Sequence, residues 1–219
     1  DVFSNFFVCG ILIDGKSYSC TEQYYQSQKA EFFGDLGTYR FIMDTVVQRE
    51  MKHLGARVRR FNARSWQSQK VAVMRRALDA KFRQHQSLAD FLLDTGDSYL
   101  VEANPSDYFW GVGMAKTDED IGVVDCHQGA NMMGRLLMDL RGQLRSERAA
   151  AEAVVLPDVP GPIGALGEVG LNFGQAHPGR AIRRTRRGGR KHYRRRRNRA
   201  ARRSASLQGP SIPAHLDFL

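Results

Sequence analysis

The stretch Thr21-Glu22-Gln23-Tyr24-Tyr25-Gln26-Ser27-Gln28-Lys29-Ala30 is the densest run of polar and aromatic residues in the chain. Thr21 is suited to cap a helix and Glu22 then lies in the first turn, so the pattern predicts a helix that runs to about Phe33. Glu22 and Lys29 are seven residues apart, which is two helical turns, and they therefore share one face.

This shared face would direct a carboxylate and an amine into one pocket. Partial burial would make the Lys29 amine less basic and more nucleophilic, while Glu22 would move protons. The same two residues also fit an ordinary charged helix surface, in which they carry no chemistry. Their spacing alone leaves both interpretations open.

Shorter elements are predicted on both sides of this helix. Before it, Asp14-Gly15 predicts the tight turn of a hairpin within residues 11–18, because this pair accepts positive φ angles. After it, a helix is expected from about 38 to 53. Ser65 and Ser87 are expected to cap two later helices.

Apolar spacing predicts the helices that form the core. One face repeats at intervals of three, four and four residues, and it contains Val71, Met74, Leu78 and Phe82. A last core helix is expected from about Asn131 to Leu144, and β-forming residues predict a strand over 99–103. The expected fold class is α+β: a mainly helical single domain with a few short antiparallel strands, followed by a disordered C-terminal region.

The positive charge is concentrated in one segment of the chain. The 219 residues carry a formal charge of +10, yet residues 180–203 contain fourteen Lys and Arg and no acid. The remaining 19 basic and 23 acidic residues give a net charge of −4. The predicted organisation is a folded domain over 1–148, a Gly/Pro-rich linker over 149–179, this Arg-rich segment, and a disordered tail over 204–219.

The densest part of the Arg-rich segment is Arg194, Arg195, Arg196 and Arg197. These side chains are predicted to contact nucleic-acid phosphates, with counterion release contributing the affinity. The neighbouring Tyr193 offers little base stacking, so sequence-specific recognition is not expected. The same run also fits a nuclear-import signal or a solvated tail without function.

Cysteine usage and hydropathy exclude several classes of protein. Three cysteines without paired spacing argue against a disulfide framework and favour a reducing compartment. Cys126 stands beside His127 without a CxxC partner, so no metal site is expected. No apolar run approaches the roughly 20 residues that span a bilayer. The expected location is the cytoplasm, or the nucleus if the chain is eukaryotic or viral.

Two glycine-containing clusters offer further ligand contacts. In Asp107-Tyr108-Phe109-Trp110-Gly111-Val112-Gly113, Gly111 lets the backbone approach a flat ligand and Trp110 offers a stacking surface. Trp110 fits a core position equally well. In Gly129-Ala130-Asn131, backbone N–H groups at the start of a helix could hold a phosphate, although a simple Asn131 cap explains the motif too.

Together these motifs resemble the NADAR family of YbiA-like N-glycosidases. The resemblance covers about residues 3–145, in the family's motif order, whereas the linker and the Arg-rich segment have no counterpart. The motifs include Phe3-Ser4-Asn5-Phe6, the Thr21–Ala30 stretch, His53-Leu54-Gly55, Leu100-Val101-Glu102, Trp110-Gly111-Val112-Gly113 and Gly129-Ala130-Asn131.

The resemblance implies cleavage of the bond between C1 of a ribose and a nitrogen. It implies two substrate classes, ADP-ribose attached to guanine and phosphoribosylamino-pyrimidine intermediates of riboflavin synthesis. Glu22 would perform acid/base work and Lys29 would attack C1 to form a Schiff base, with no metal or other cofactor. The predicted substrate-binding residues are Asn5, Phe6, Trp66, Asp107, Trp110, Gly111 and Asn131.

Two functions from different classes fit these observations. The first is an N-glycosidase tethered to nucleic acid by its tail, which favours ADP-ribosyl-guanine because a free metabolite needs no anchor. The alternative is a catalytically inactive NADAR-like binding module with an Arg-rich nucleic-acid-binding tail. The intact pair of Glu22 and Lys29 favours the enzyme.

Overall fold

The computed structural model describes residues 2–155 and 216–218, which form a mainly helical domain with short strands. The predicted α+β class is confirmed. The helices are α1 (Thr21–Phe32), α2 (Leu36–Asp44), α3 (Gln48–Ala56), α4 (Ala63–Gln67), α5 (Lys70–Gln84), α6 (Gln86–Asp94) and α7 (Met132–Val155). The strands are β1 (Ile11–Ile13), β2 (Lys16–Tyr18), β3 (Tyr99–Val101) and β4 (Leu216–Phe218).

Helix α1 lies at the centre of the domain and packs against α2, α3 and α5. Most of its side chains are buried, including those of Glu22, Gln23 and Gln26. The interpretation of this stretch as a charged surface helix is therefore wrong. Polar groups buried at this depth require partners, which makes α1 the element that organises its neighbours.

The predicted hairpin is confirmed. Strands β1 and β2 pair antiparallel, with Ile11 opposite Tyr18 and Ile13 opposite Lys16. The turn between them uses the left-handed conformation, with φ of 52° at Asp14 and 74° at Gly15. Asp-Gly tolerates these angles at low cost, which is why the dipeptide identified the turn.

The three predicted helix caps are wrong. Thr21 is the first helical residue, and its hydroxyl donates to the Asn5 carbonyl oxygen at 3.0 Å instead of capping α1. Ser65 lies inside α4, whose cap is Asn62, and Ser87 lies inside α6. A hydroxyl in the first turn matches the cap pattern in sequence, but the turn of the chain before the helix decides which residue is the cap.

The helix expected over residues 38–53 is two helices, α2 and α3, separated by an extended Thr45. The buried Gln23 amide of α1 donates to the carbonyl oxygens of Ile42 and Met43 at 2.9 and 3.2 Å, and to that of Thr45 at 3.3 Å. These bonds satisfy carbonyl groups at the end of α2, so that a helix end is stable inside the protein. The break depends on a residue far away in sequence.

The main core lies between α5, α6 and α7. The predicted face of α5 is confirmed, since Met74, Leu78 and Phe82 are buried in this core with Val71 packed at its edge. The inner stripe of α7 adds further buried side chains, namely Met133, Leu136, Leu137 and Leu140. Helix α7 continues to Val155, beyond the predicted end near Leu144 and into the segment predicted as linker.

Strand β3 confirms the predicted strand but pairs parallel to β4, where antiparallel pairing was expected. Tyr99 lies opposite Leu216, and Val101 lies opposite Phe218. Three residues of the tail predicted as disordered thus form a strand. The predictions for residues 156–215, including the Arg-rich segment, fall outside the described residues. None of the helices that the structure describes combines the length and apolar composition needed to traverse a lipid bilayer.

Candidate active site

A cavity of about 410 Å³, partly open to solvent, is lined by the N-terminal segment (residues 2–7), α1, α3, α5, the loop after β3 and the start of α7. Five predicted site residues lie on its wall: Asn5, Phe6, Glu22, Asp107 and Trp110. Four predicted residues are outside the wall: Lys29, Trp66, Gly111 and Asn131. The wall also contains residues that were not predicted, namely Ser4, Tyr25, Gln26, Lys52, Met74, Glu102, Asn104 and Met133.

Glu22 is the most deeply buried carboxylate of this wall, with 6% of its surface exposed. Burial raises the pKa of its carboxyl group, because a charge is poorly solvated there. Three groups oppose this shift: the amide of Gln26 donates to Glu22 Oε1 at 2.9 Å, and the ammonium groups of Lys52 and Lys29 attract the negative charge. Glu22 is therefore suited to exchange protons inside the cavity.

The Lys29 ammonium does not reach the cavity wall. It donates to the carbonyl oxygen of Gly55 in α3 at 2.9 Å and lies 4.2 Å from the centre of the Phe61 ring. Burial lowers the pKa of Lys29, and the charge of Glu22 partly opposes this. The shared helical face thus brings the two groups within electrostatic range, but α3 holds the amine beside the cavity.

Gly55 allows a close contact between α3 and α1. A Cβ atom at this position would lie 1.8 Å from Oε1 and 2.3 Å from Cδ of Gln26. Gln26 Oε1 is buried and has no hydrogen-bond partner among the described residues. Gln26 is therefore wedged between Gly55 on one side and Glu22 on the other, which fixes its amide against the carboxylate.

Gly55→Ala is expected to lower the free energy of unfolding by about 1–3 kcal/mol, because the added methyl group overpacks the Gln26 site. The measurement is urea denaturation, and the cost should largely vanish in a Gln26→Ala background, where the clashing atoms are absent. Gly142→Ala is the matched control, since its Cβ would meet open space. An equal cost of Gly55→Ala in both backgrounds would contradict this packing.

The N-terminal segment is held over the cavity at two carbonyl groups. Glu22 N–H and the Thr21 hydroxyl both donate to Asn5 O at 3.0 Å. Lys81 Nζ donates to Ser4 O at 2.9 Å, although this lysine is fully buried and pairs with no carboxylate of the described residues. Burial lowers the pKa of Lys81 to about 8. The sequence prediction did not find Lys81, because a lysine on a helix usually reads as a surface residue.

Asp107 and Trp110 form one rigid corner of the wall. Asp107 Oδ1 accepts hydrogen bonds from the backbone N–H groups of Phe109 at 2.9 Å and Trp110 at 2.7 Å. Trp110 packs edge-on against Tyr25, with ring centres 5.8 Å apart. Trp66 lies behind this corner, 5% exposed, and its indole N–H donates to the Tyr25 hydroxyl at 3.0 Å. Trp66 thus supports the wall through Tyr25.

The Gly129-Ala130-Asn131 motif is committed to internal hydrogen bonds. Its backbone N–H groups donate to the carbonyl oxygens of Val112, Tyr108 and Gly111 at 2.8, 2.9 and 3.0 Å. The side chain of Asn131 also binds β3, donating to Leu100 O at 2.8 Å, and accepts from the N–H of Glu102 just after that strand at 3.0 Å. These N–H groups are therefore not free to hold a phosphate, and the side chain does not cap α7.

Lys52 and Glu102 are the charged wall residues that sequence reasoning missed. Glu102 belongs to the motif Leu100-Val101-Glu102, so the sequence contained a signal that could have identified it. Lys52 lies in none of the quoted motifs. Lys52 lies in α3, and its ammonium is 5.9 Å from the centre of the Phe6 ring. Across the described residues, no group of three or more His, Cys, Asp or Glu side chains is placed to bind a metal ion.

With the fold and cavity defined, comparison with known proteins identifies the class. The model of the NADAR domain family matches residues 1–145. The chain therefore belongs to the NADAR domain family.

Three relatives illustrate the breadth of this family. The chain is 36% identical over 146 residues to N-glycosidase YbiA of Escherichia coli, covering 67% of this chain and 82% of that protein. It is 36% identical over 124 residues to an N-glycosidase of Acanthamoeba polyphaga mimivirus, covering 57% and 73%. It is 32% identical over 142 residues to a riboflavin biosynthesis protein of Vibrio vulnificus, covering 65% of this chain and 35% of that protein.

The fold is also shared with a solved structure. The NMR structure of E. coli YbiA superimposes with a TM-score of 0.55 at 36% sequence identity. The match covers 68% of this chain and 80% of the E. coli protein. The YbiA-like fold expected from the sequence is thereby confirmed.

Proposed function

We propose that this protein is an N-glycosidase that hydrolyses the bond between C1 of a ribose and the nitrogen of a base. The observation that carries the proposal is Glu22, a carboxylate buried on the wall of a cavity of about 410 Å³. The relatives named N-glycosidases support the reaction class. Trp110 and Tyr25 on the same wall offer aromatic surface for a base.

The chemistry of the reaction requires a buried negative charge. As the C1–N bond lengthens, C1 and the ring oxygen develop positive charge, and a carboxylate in a site of low dielectric stabilises this charge strongly. Glu22 would stabilise C1 and then accept a proton from the attacking water. Asp107 would orient the ribose, and Asn5 with Phe6 would close the cavity over the substrate.

We further propose that Lys29 attacks C1 and holds the opened sugar as a Schiff base. Burial lowers the pKa of Lys29, so more of its amine is neutral and nucleophilic at neutral pH. The ammonium must first leave the Gly55 carbonyl, because the structure places it outside the wall. Lys52 is the second candidate, since it lines the cavity.

The two candidate substrate classes share a ribose C1–N bond and differ in what is attached to it. The Vibrio vulnificus relative, named a riboflavin biosynthesis protein, favours phosphoribosylamino-pyrimidines. The Arg-rich segment favours ADP-ribosyl-guanine in nucleic acid, because the fourteen Lys and Arg residues within 180–203 would concentrate the protein on a polyanion. This segment includes Arg194, Arg195, Arg196 and Arg197. We propose ADP-ribosyl-guanine as the preferred substrate.

The 219-residue chain is expected to release ADP-ribose from an ADP-ribosylated guanine oligonucleotide, and chromatographic analysis of the products measures this release. A phosphoribosylamino-pyrimidine should be a poorer substrate. Deleting residues 180–203 should weaken the reaction on the oligonucleotide, chiefly at low salt, and leave a mononucleotide substrate unaffected. If neither substrate class released product, the proposed N-glycosidase activity would be contradicted and a binding module favoured.

A further inference from the structure

Glu102 presents an uncommitted carboxyl group to the cavity. It follows β3 and lines the wall, and its side chain forms no hydrogen bond within the part of the chain that the structure describes. Asp107 differs, because its Oδ1 is occupied by two backbone N–H groups. Glu22 differs too, because it accepts from Gln26. Glu102 is thus free to bond a ligand in the cavity.

The backbone of Glu102 is nevertheless held at both ends of the residue. Its N–H donates to Asn131 Oδ1 at 3.0 Å, and its carbonyl oxygen accepts from the N–H groups of Val112 at 2.9 Å and Asn104 at 3.1 Å. A Cβ atom at Gly111 would lie 2.8 Å from this carbonyl oxygen, so glycine is required there. Asn131 and Gly111 therefore position Glu102.

The charges around Glu102 differ from those around Glu22. Burial and the nearby negative charge of Asp107 raise the pKa of Glu102, and only Lys52 opposes them. Around Glu22, burial is opposed by Gln26 and two lysines. Two carboxyl groups in unlike environments divide naturally into a proton donor and a charged partner.

Resting on the proposed function, we infer that Glu102 is a second catalytic residue, the general acid that protonates the departing base. The Glu102 proton moves to the leaving nitrogen as the C1–N bond breaks, and the bonding electron pair stays on that nitrogen. Water adds its oxygen to C1 and its proton passes to Glu22. Where the lysine adduct forms first, the C1–Nζ bond breaks after this addition, and the lysine leaves as its amine. Exchange with solvent then returns the proton to Glu102.

Glu102→Gln tests this role, because glutamine keeps the shape and cannot supply an acidic proton. With an ADP-ribosylated guanine substrate, kcat/KM should fall about 10²- to 10⁴-fold. In the wild type, kcat should decline as rising pH ionises the Glu102 carboxyl group. This decline, the alkaline limb of the pH profile, should disappear in the variant. Glu119→Gln is the matched control, as this exposed carboxylate lies outside the cavity wall and should leave turnover unchanged.

A second variant separates proton donation from a structural role. Glu102→Ala leaves room for a small acid, so added formate should restore part of its activity, and formate should not restore Glu102→Gln. A Glu102→Gln variant with wild-type kcat/KM, or one that retains the alkaline limb without formate rescue of Glu102→Ala, overturns the inference. If the wild type itself releases no base, the proposed function fails instead.

Discussion

Glu22→Gln is expected to lower kcat by about 10²- to 10⁴-fold while leaving the protein equally or more stable. The substitution preserves the side-chain volume and an oxygen that can accept a hydrogen bond from Gln26. It removes the negative charge that stabilises C1 and the carboxylate that accepts the proton of the attacking water. The measurement is the rate of base release at pH 7, compared with the midpoint of urea denaturation.

The stability result has a defined sign. Because burial raises the pKa of Glu22 in the folded state, ionisation opposes folding, and this penalty is present above the ordinary pKa of glutamate. The penalty is complete above the raised pKa of the folded state, so the stability difference between Glu22→Gln and the wild type should shrink as pH falls from that pKa to the ordinary pKa of glutamate, and be absent below it. Glu31→Gln is the control, since this α1 carboxylate is exposed and pairs with Lys16 at 3.5 Å. If Glu22→Gln released base at the wild-type rate, Glu22 would have no role in catalysis.

Borohydride reduction during turnover is expected to leave a sugar adduct on Lys29 of the wild-type protein, detected by mass spectrometry of its peptides. Lys29→Ala should give no adduct and should lose most of its turnover, because no amine remains to attack C1. The physical reason is the half-buried position of Lys29, where burial lowers its pKa and increases the neutral fraction.

Lys52→Ala is the matched variant, because it removes an amine that already lies on the cavity wall. It should retain the adduct on Lys29, with weaker substrate binding. If Lys52→Ala lost the adduct and Lys29→Ala kept it, the attacking amine would be that of Lys52. No adduct in an actively turning-over wild type would exclude the covalent route and leave direct attack by water.

Local sequence patterns correctly predicted the helices and turns that depend only on residues close together in sequence. Asp14-Gly15 identified the hairpin turn because both residues tolerate left-handed backbone angles. The α5 face was predicted because helical periodicity reports burial directly. The break between α2 and α3 was missed because Gln23 ends α2 from another helix. The caps were missed because the turn of the chain before each helix decides which residue is the cap.

The sequence by itself determined the mainly helical class and the family, and it predicted the proximity of an acid and aromatic residues that Glu22, Phe6 and Trp110 show on one cavity wall. Only the tertiary structure decided that Lys29 binds Gly55 beside the cavity, that Asn131 positions Glu102, and that Lys52 joins the wall. Spacing specifies the helical face on which a side chain lies. The direction of its polar group depends on partners supplied by distant segments, and these become neighbours only when the chain packs.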